Sequence, residues 1–292
     1  MGFLEAIIAG AVEGFTELLP ISSLGHRALF QYFTSSGAGE AAWLSCFLHL
    51  GGILAVVIVF WDTVSSVTLE IFRIIGDMLT RRFNIYNLPY YQKMLVMVLV
   101  STLPFAMTFF IGGTLKALSA DNDIIFEGAC FAVTGALLYF AANGLPGRRR
   151  GREMRTVDAL LIGAGQAVSQ AAGISRLGVA ISASMLLGFE KRYAIVFSYI
   201  IGLPTAFAML IWDFKAVLKG GINIPLPILL AGFFTSLIFG ILAISFVKWL
   251  VIKDKLHWIS YYSLLLGFLT VIIGVFEKLQ GAPIKHFITA FF

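Results

Sequence analysis

Glu13-Gly14-Phe15-Thr16-Glu17-Leu18-Leu19-Pro20-Ile21-Ser22-Ser23-Leu24-Gly25-His26 runs through the middle of an apolar segment covering about residues 4–33. Two carboxylates, a proline and two hydroxyls fall where a simple membrane span would be driest, so the segment reads as two short helices joined at a buried break. A second apolar segment, about 157–190, is broken in the same way by Gly173-Ile174-Ser175-Arg176. Non-helical backbone persists at such depth only where protein or a wet cavity satisfies its N–H and C=O groups, because lipid offers them no partner. Both segments are therefore expected to be re-entrant pairs that dip in and return.

The chain around them has the composition of a protein dissolved in lipid. Of its 292 residues 59% are hydrophobic and 13% charged, with a mean hydropathy of +0.91, whereas a soluble domain carries about a quarter charged residues. Uninterrupted apolar stretches at about 43–61, 92–112, 123–142, 194–212, 226–248 and 258–276 approach the ~20 residues a helix needs to cross a ~30 Å hydrocarbon core. No period-2 alternation of a transmembrane barrel runs through the chain. The expected fold is an all-α integral membrane protein with about six transmembrane helices plus two re-entrant helix pairs.

The net charge of +5 sits in connections beside these spans: Arg73, Arg81, Arg82 and Lys93; Arg148 to Arg155; and Lys248, Lys253 and Lys255. That placement follows the positive-inside rule, makes the three connections cytoplasmic, and gives no reason to invoke nucleic acid. Cys46 and Cys130 lie in apolar stretches without metal-knuckle spacing and read as packing residues. Glu5 stands where a signal peptide carries Lys or Arg, so the N-terminal segment is expected to be structural.

Residues 6–25 align without gaps on residues 159–178: Ala6 with Ala159, Gly10 with Gly163, Ala11 with Ala164, Ile21 with Ile174. At the break Ser22-Ser23-Leu24-Gly25 lies over Ser175-Arg176-Leu177-Gly178, and Glu13 and Glu17 lie over Gln166 and Gln170. The chain thus reads as one membrane domain of two homologous halves, about 1–145 and 156–292. Three spans per half turn the second over relative to the first. An inverted-topology repeat of this kind brings broken tips together near the midplane, where transporter folds build their sites.

Glu13 and Glu17 are four residues apart on one helical face, and a carboxylate at membrane depth costs at least ~2.5–3.5 kcal/mol on insertion scales. Something positive must compensate them: Arg176 from the other half, a shared proton, or a hard divalent cation, for which carboxylate oxygens suit magnesium or calcium better than zinc. Ser22, Ser23 and Gly25, and Ser175 and Gly178 in the second half, sit where half-helices begin. Their hydroxyls and backbone N–H groups can cap those helices or bind an anion. Arg176 tips the reading toward a phosphate, which its guanidinium fork matches. His26, three residues after Ser23, is a neighbour of that hydroxyl on the helix, and it reads either as a base for Ser23 or for an attacking water, or as a hydrogen-bonded structural histidine. His49 is placed to line the same cavity.

The stretch from Glu13 to His26 resembles the first signature of the bacitracin-resistance family of undecaprenyl-diphosphate phosphatases, and Gly173-Ile174-Ser175-Arg176 with Gly178 resembles the second. Length and span pattern agree, so the resemblance covers essentially the whole chain. It implies hydrolysis of undecaprenyl diphosphate to the monophosphate, recycling the lipid carrier for cell-wall synthesis at the outer face of the bacterial plasma membrane with a divalent cation (Mg2+ or Ca2+). Glu17, Ser23, His26 and Arg176 would be catalytic. The match by position covers Glu13, Glu17, Ser23 and Arg176, with His26 and Ser175 in support; the breaks and the repeat add Ser22, Gly25, Gln166, Gln170 and Gly178 to Ser175 and Arg176 as expected substrate-binding residues, with Glu13 and Glu17 holding the metal. The partners expected are a polyprenyl diphosphate, the bilayer and, as a candidate, a homodimer mate. The family usually carries a hydroxyl residue at Leu24, proline at Ala172, serine at Leu177 and threonine at Ala180, so this chain has lost three hydroxyls around its tips. The rival expectation is a polyprenyl-phosphate transporter or flippase without hydrolytic activity.

Overall fold

The computed structural model describes residues 2–34, 42–85, 87–106, 108, 123–220, 224–281 and 283–289, and the regular elements among these are all helical. The first half contains α1 (Phe3–Leu18), α2 (Ser23–Thr34), α3 (Ala42–Val59), α4 (Trp61–Leu79), α5 (Tyr90–Ala106) and α6 (Ile125–Asn143). The second contains α7 (Thr156–Val168), α8 (Arg176–Leu186), α9 (Lys191–Gly220), α10 (Leu226–Ile252), α11 (His257–Gln280) and the short α12 (Pro283–Thr289). A helix stands at each of the six expected spans. Four regions, α6, Lys191–Ile211 of α9, α10 and α11, are long and apolar enough to cross a membrane alone. The C-terminal part expected for the second span, residues 107 and 109–112, lies outside the described residues.

The exposed faces are apolar, the reverse of a soluble protein, and the closest helix contacts are made through small residues. On α10 the residues Leu230, Phe234, Ile238, Leu242 and Phe246 point outward at four-residue spacing, while Gly232, Ser236, Gly240 and Ala243 are buried. Lipid is as apolar as leucine, so it is close backbone packing through small residues, rather than burial of large ones, that holds such helices together.

Salt bridges sort the helix ends. At one end Lys93 donates to the Arg152 carbonyl, Arg150 lies 3.5 Å from Glu190 and Lys191 pairs with Asp254. This basic end therefore holds the starts of α5, α7 and α9 and the finish of α10. At the far end Lys278 meets Asp123 at 3.0 Å, and Glu277 accepts the backbone N–H groups of Ile284 and Lys285. α1 runs alongside α10, with Gly10 against Gly232 and Gly14 against Ser236, so it enters from the far end. α2 returns there, where the Tyr32 hydroxyl lies 3.3 Å from Glu277. α7 enters from the basic end, and the Leu187 carbonyl just after α8 is back there, accepting from Arg149 at 2.8 Å. Each broken segment is thus re-entrant, and the two open to opposite ends.

The inversion is written in the glycines. Gly10 and Gly163 are equivalent in the repeat, and each lets a carbonyl of its partner helix, Gly232 on α10 or Ser101 on α5, approach where a Cβ would collide. Between α6 and α11 the relation closes on itself: a Cβ on Gly128 would fall 2.9 Å from the Gly267 oxygen, and one on Gly267 2.7 Å from the Gly128 oxygen. Gly135 lies against Leu264 as Gly274 lies against Ile125. Numbers rise along α6 as they fall along α11, so these equivalent helices run antiparallel.

α4 departs from the expected plain connection after the first span. It turns 95° from α3 and, among the described residues, has no counterpart between α9 and α10. Val67 and Glu70 face inward while Leu69, Phe72, Ile75 and Leu79 are exposed. Asp62, Glu70, Arg73 and Asp77 interrupt its apolar residues, so no window reads as a span.

Candidate active site

The two breaks meet. Ser22, held in the left-handed region at φ 67°, accepts through Oγ from Gly25 N at 3.2 Å and from Gly173 N of the other half at 3.1 Å. Ser175 is the N-cap of α8 and accepts from Gly178 N at 3.0 Å. Thr134 on α6 donates to the Gly173 carbonyl at 2.8 Å and accepts from Ser175 N at 3.0 Å, and the Tyr199 hydroxyl donates to the Leu18 carbonyl at 2.8 Å. These bonds satisfy backbone that lipid cannot. Ser22 and Ser175 thus act as caps that accept from the N–H groups of Gly25 and Gly178, and both also line the cleft described below. Gly25 has a packing role as well, since a Cβ there would overlap Gly173 and Phe131.

Beside the joined tips, Arg176 donates through Nη2 to Glu17 Oε1, an ion pair across the two halves, and its Nη1 meets Thr205 Oγ1 at 3.2 Å and Met209 Sδ at 3.3 Å. Ser23 donates to the other oxygen of Glu17, Oε2, at 2.5 Å. A hydroxyl, a carboxylate able to accept its proton and a guanidinium that orients the carboxylate therefore stand in series. Because Ser23 and Arg176 occupy equivalent repeat positions, the pseudo-twofold itself brings them together on one carboxylate.

His26 does not stand as a base for Ser23. Its Nδ1 lies 2.8 Å from the Ser22 carbonyl and its Nε2 2.7 Å from the Tyr262 hydroxyl, with the ring stacked on Tyr262 and edge-on to Phe131. Three-residue spacing makes Ser23 and His26 neighbours on α2, but Ser23 turns toward α1 and the imidazole toward α11. Glu13 is compensated by Arg27 at 2.8 Å and His49 at 3.3 Å, not by Arg176. Arg27 went unnoticed in the sequence because it follows the break by one turn and reads as an ordinary helix-surface arginine. Thr205 and Met209 carried no signal at all.

Glu13, Glu17, Ser23, Arg27, Gln170 and Arg176 share a cleft of about 800 Å³. Phe105 and Lys215, from the far-end portions of α5 and α9, and Thr108, two residues past the end of α5, also line it, so it faces the far end. Leu24 and Leu177 lie on its wall, Leu24 half-buried and Leu177 joined to the main core. Gln166, expected to bind substrate, is fully buried and lines an adjoining chamber of about 50 Å³ that shares Glu17 and Arg176 with the cleft but not Gln166.

Among the described residues no three His, Cys, Asp or Glu side chains converge as a ready metal cage. Glu13 and Glu17 offer the oxygens a hard cation prefers, but each already holds a basic partner. The pair fits such a cation in donor type and needs further oxygens, of the kind a diphosphate and water bring.

Comparison with known proteins finds similarity over nearly the whole chain. Residues 6–269 match the family model described as Bacitracin resistance protein BacA. An undecaprenyl-diphosphatase of Alkaliphilus metalliredigens (strain QYMF) is 32% identical over 279 residues, 94% of this chain and 100% of the relative. Proteins of the same name from Methanosphaera stadtmanae, 30% identical over 94% of this chain and 99% of the relative, and Korarchaeum cryptofilum, 31% over 91% and 97%, are also similar.

Proposed function

The chain belongs to the bacitracin resistance protein BacA family, and from that premise we propose that it is a multi-pass membrane phosphatase converting undecaprenyl diphosphate to undecaprenyl phosphate and inorganic phosphate. The observation that carries the reading to the residues is the series Ser23–Glu17–Arg176 at the meeting point of the two halves. Relatives of this family carry the name undecaprenyl-diphosphatase, so the flippase alternative is not favoured.

In the cleft Arg176 exchanges Glu17 for the diphosphate, whose paired oxygens its planar fork matches. Arg27 and Lys215 add positive charge around the same space. Glu17 takes the proton of Ser23 as Oγ attacks the terminal phosphorus; the bridging P–O bond breaks and the lipid leaves as its monophosphate. Water then cleaves the phosphoserine to release phosphate, with Glu17 again managing the proton. Most of the acceleration comes from positioning and charge neutralisation, as phosphoryl transfer requires. Glu13 and Glu17 would hold a magnesium or calcium ion arriving with the diphosphate, and when bound it would neutralise the phosphoryl oxygens.

The basic end is read as cytoplasmic from its arginine and lysine excess, which opens the cleft to the outer face of the plasma membrane. Purified protein in detergent, where vectorial transport is impossible, should release phosphate from a polyprenyl diphosphate. Folded protein that binds the lipid and releases none in the presence of magnesium or calcium would sink the reading.

A further inference from the structure

Adjoining the cleft, with Glu13, Glu17 and Arg176 in the wall of both, lies the chamber of about 50 Å³. Gln166 and Ser198 both line it and both are fully buried, and neither the Gln166 amide oxygen and nitrogen nor Ser198 Oγ has a protein partner. Burying an amide and a hydroxyl unpaired is costly, and native interiors avoid it or satisfy the groups with water. The chamber exceeds the roughly 10–15 Å³ one water needs. Its wall also includes Glu13, Glu17 and Arg176, so a water there finds the two to four polar partners that hold one in place.

We propose that Gln166 and Ser198 hold a buried water cluster that hydrogen-bonds the Arg176–Glu17 pair and positions the Arg176 guanidinium. The guanidinium has five N–H donors, of which Glu17, Thr205 and Met209 account for three. The remaining donors can be satisfied by water in the chamber while the fork turns to the diphosphate. Gln166 and Ser198 are then positioning residues, acting on the phosphate through water and arginine. The positional role rests on the phosphatase reading; the water itself does not.

The chamber has its own reporter. Tyr199 is 2% exposed and lines it without lining the cleft, whereas Tyr193, at 7% slightly more exposed, lines neither space. X-ray radiolysis generates hydroxyl radicals from bound water, so mass spectrometry of irradiated wild-type protein should find Tyr199 oxidised several-fold more than Tyr193. Equal, low labelling of both tyrosines overturns the proposal. In Gln166→Leu the Tyr199 label should drop toward that of Tyr193, and kcat should fall about tenfold, the scale of one lost hydrogen bond to a charged group, with KM changed less than about twofold. Ser198→Ala should behave similarly and Ser198→Thr, which keeps the hydroxyl, should restore both readouts. Wild-type labelling and kcat in a folded Gln166→Leu protein overturn the role of Gln166. Strong Tyr199 labelling in a wild type that releases no phosphate would keep the water and remove the phosphatase reading.

Discussion

Arg176, at the start of the half-helix in the second half, donates to Glu17, near the end of the half-helix in the first. The two residues are 159 positions apart and meet only because the halves are inverted and their tips interlock through Ser22 and Gly173. The same carboxylate accepts from Ser23, so a charge pair that stabilises the junction also prepares a nucleophile.

Arg176→Lys should lower kcat/KM by about 100-fold or more, since lysine keeps the charge and loses the forked pair of donors that grips a developing phosphate charge. Thermal unfolding in detergent should stay near the wild-type midpoint because a cation still faces Glu17. Wild-type turnover in the folded variant would make Arg176 a structural counter-ion.

Ser23→Ala should cost at least about 100-fold in kcat, the lower end of the effect of losing a positioned proton-transfer pair. His26→Ala should cost far less, because its ring nitrogens are occupied by Tyr262 and the Ser22 carbonyl. Acid-quenched turnover mixtures, digested and analysed by mass spectrometry, should contain a phosphorylated Ser23 peptide. A Ser23→Ala protein with near-normal kcat would transfer the attack to water.

Chelation of divalent cations should suppress phosphate release, and Glu13→Gln should raise the magnesium concentration needed for half-maximal activity. Both carboxylates already hold basic partners, so chelation should leave the unfolding midpoint of the substrate-free protein nearly unchanged. Full activity after exhaustive chelation would remove the cation from the mechanism.

Leu24→Thr and Leu177→Ser should separate although the two leucines are equivalent in the repeat. Leu24 is half-buried on the cleft wall, so a hydroxyl there should be tolerated and raise turnover by adding a phosphate donor. Leu177 belongs to the main core, and replacing it with serine should destabilise the protein by about 2–5 kcal/mol, the scale of emptying a buried leucine site. Phosphate release and denaturant midpoints on the two variants read the difference directly.

Single cysteines at Arg148 and Lys278, in a background lacking Cys46 and Cys130, should be labelled by an impermeant thiol reagent from opposite sides of a sealed membrane, Lys278 from outside. These positions stand beyond the basic end of α6 and near the far end of α11. Labelling of both from one side would contradict the re-entrant arrangement in the membrane.

Sequence reading reached the spans, both breaks and their equivalence because each leaves a local mark: apolar length, a proline or glycine among hydroxyls, and coincident polar positions. It missed α4, whose apolar residues are interleaved with Asp62, Glu70, Arg73 and Asp77. It placed His26 beside Ser23 on helical spacing alone, and spacing names neighbours without saying which way each side chain turns. Arg27, Thr205 and Met209 stayed invisible because the groups they touch are distant in the chain.

By itself the sequence determined that this protein lives in lipid, that two polar breaks lie buried within it, and that Glu13, Glu17, Ser23 and Arg176 are too costly at that depth to be incidental. Which oxygen of Glu17 receives Ser23 and which receives Arg176 was decided only by the tertiary structure, as were the compensation of Glu13 by Arg27 and His49 and the turning of Gln166 into the adjoining chamber. The physical reason is that burial cost is a property of each residue and its neighbours along the chain, whereas the partner that offsets it comes from whichever helix the inverted packing of glycine-lined faces brings within hydrogen-bonding reach.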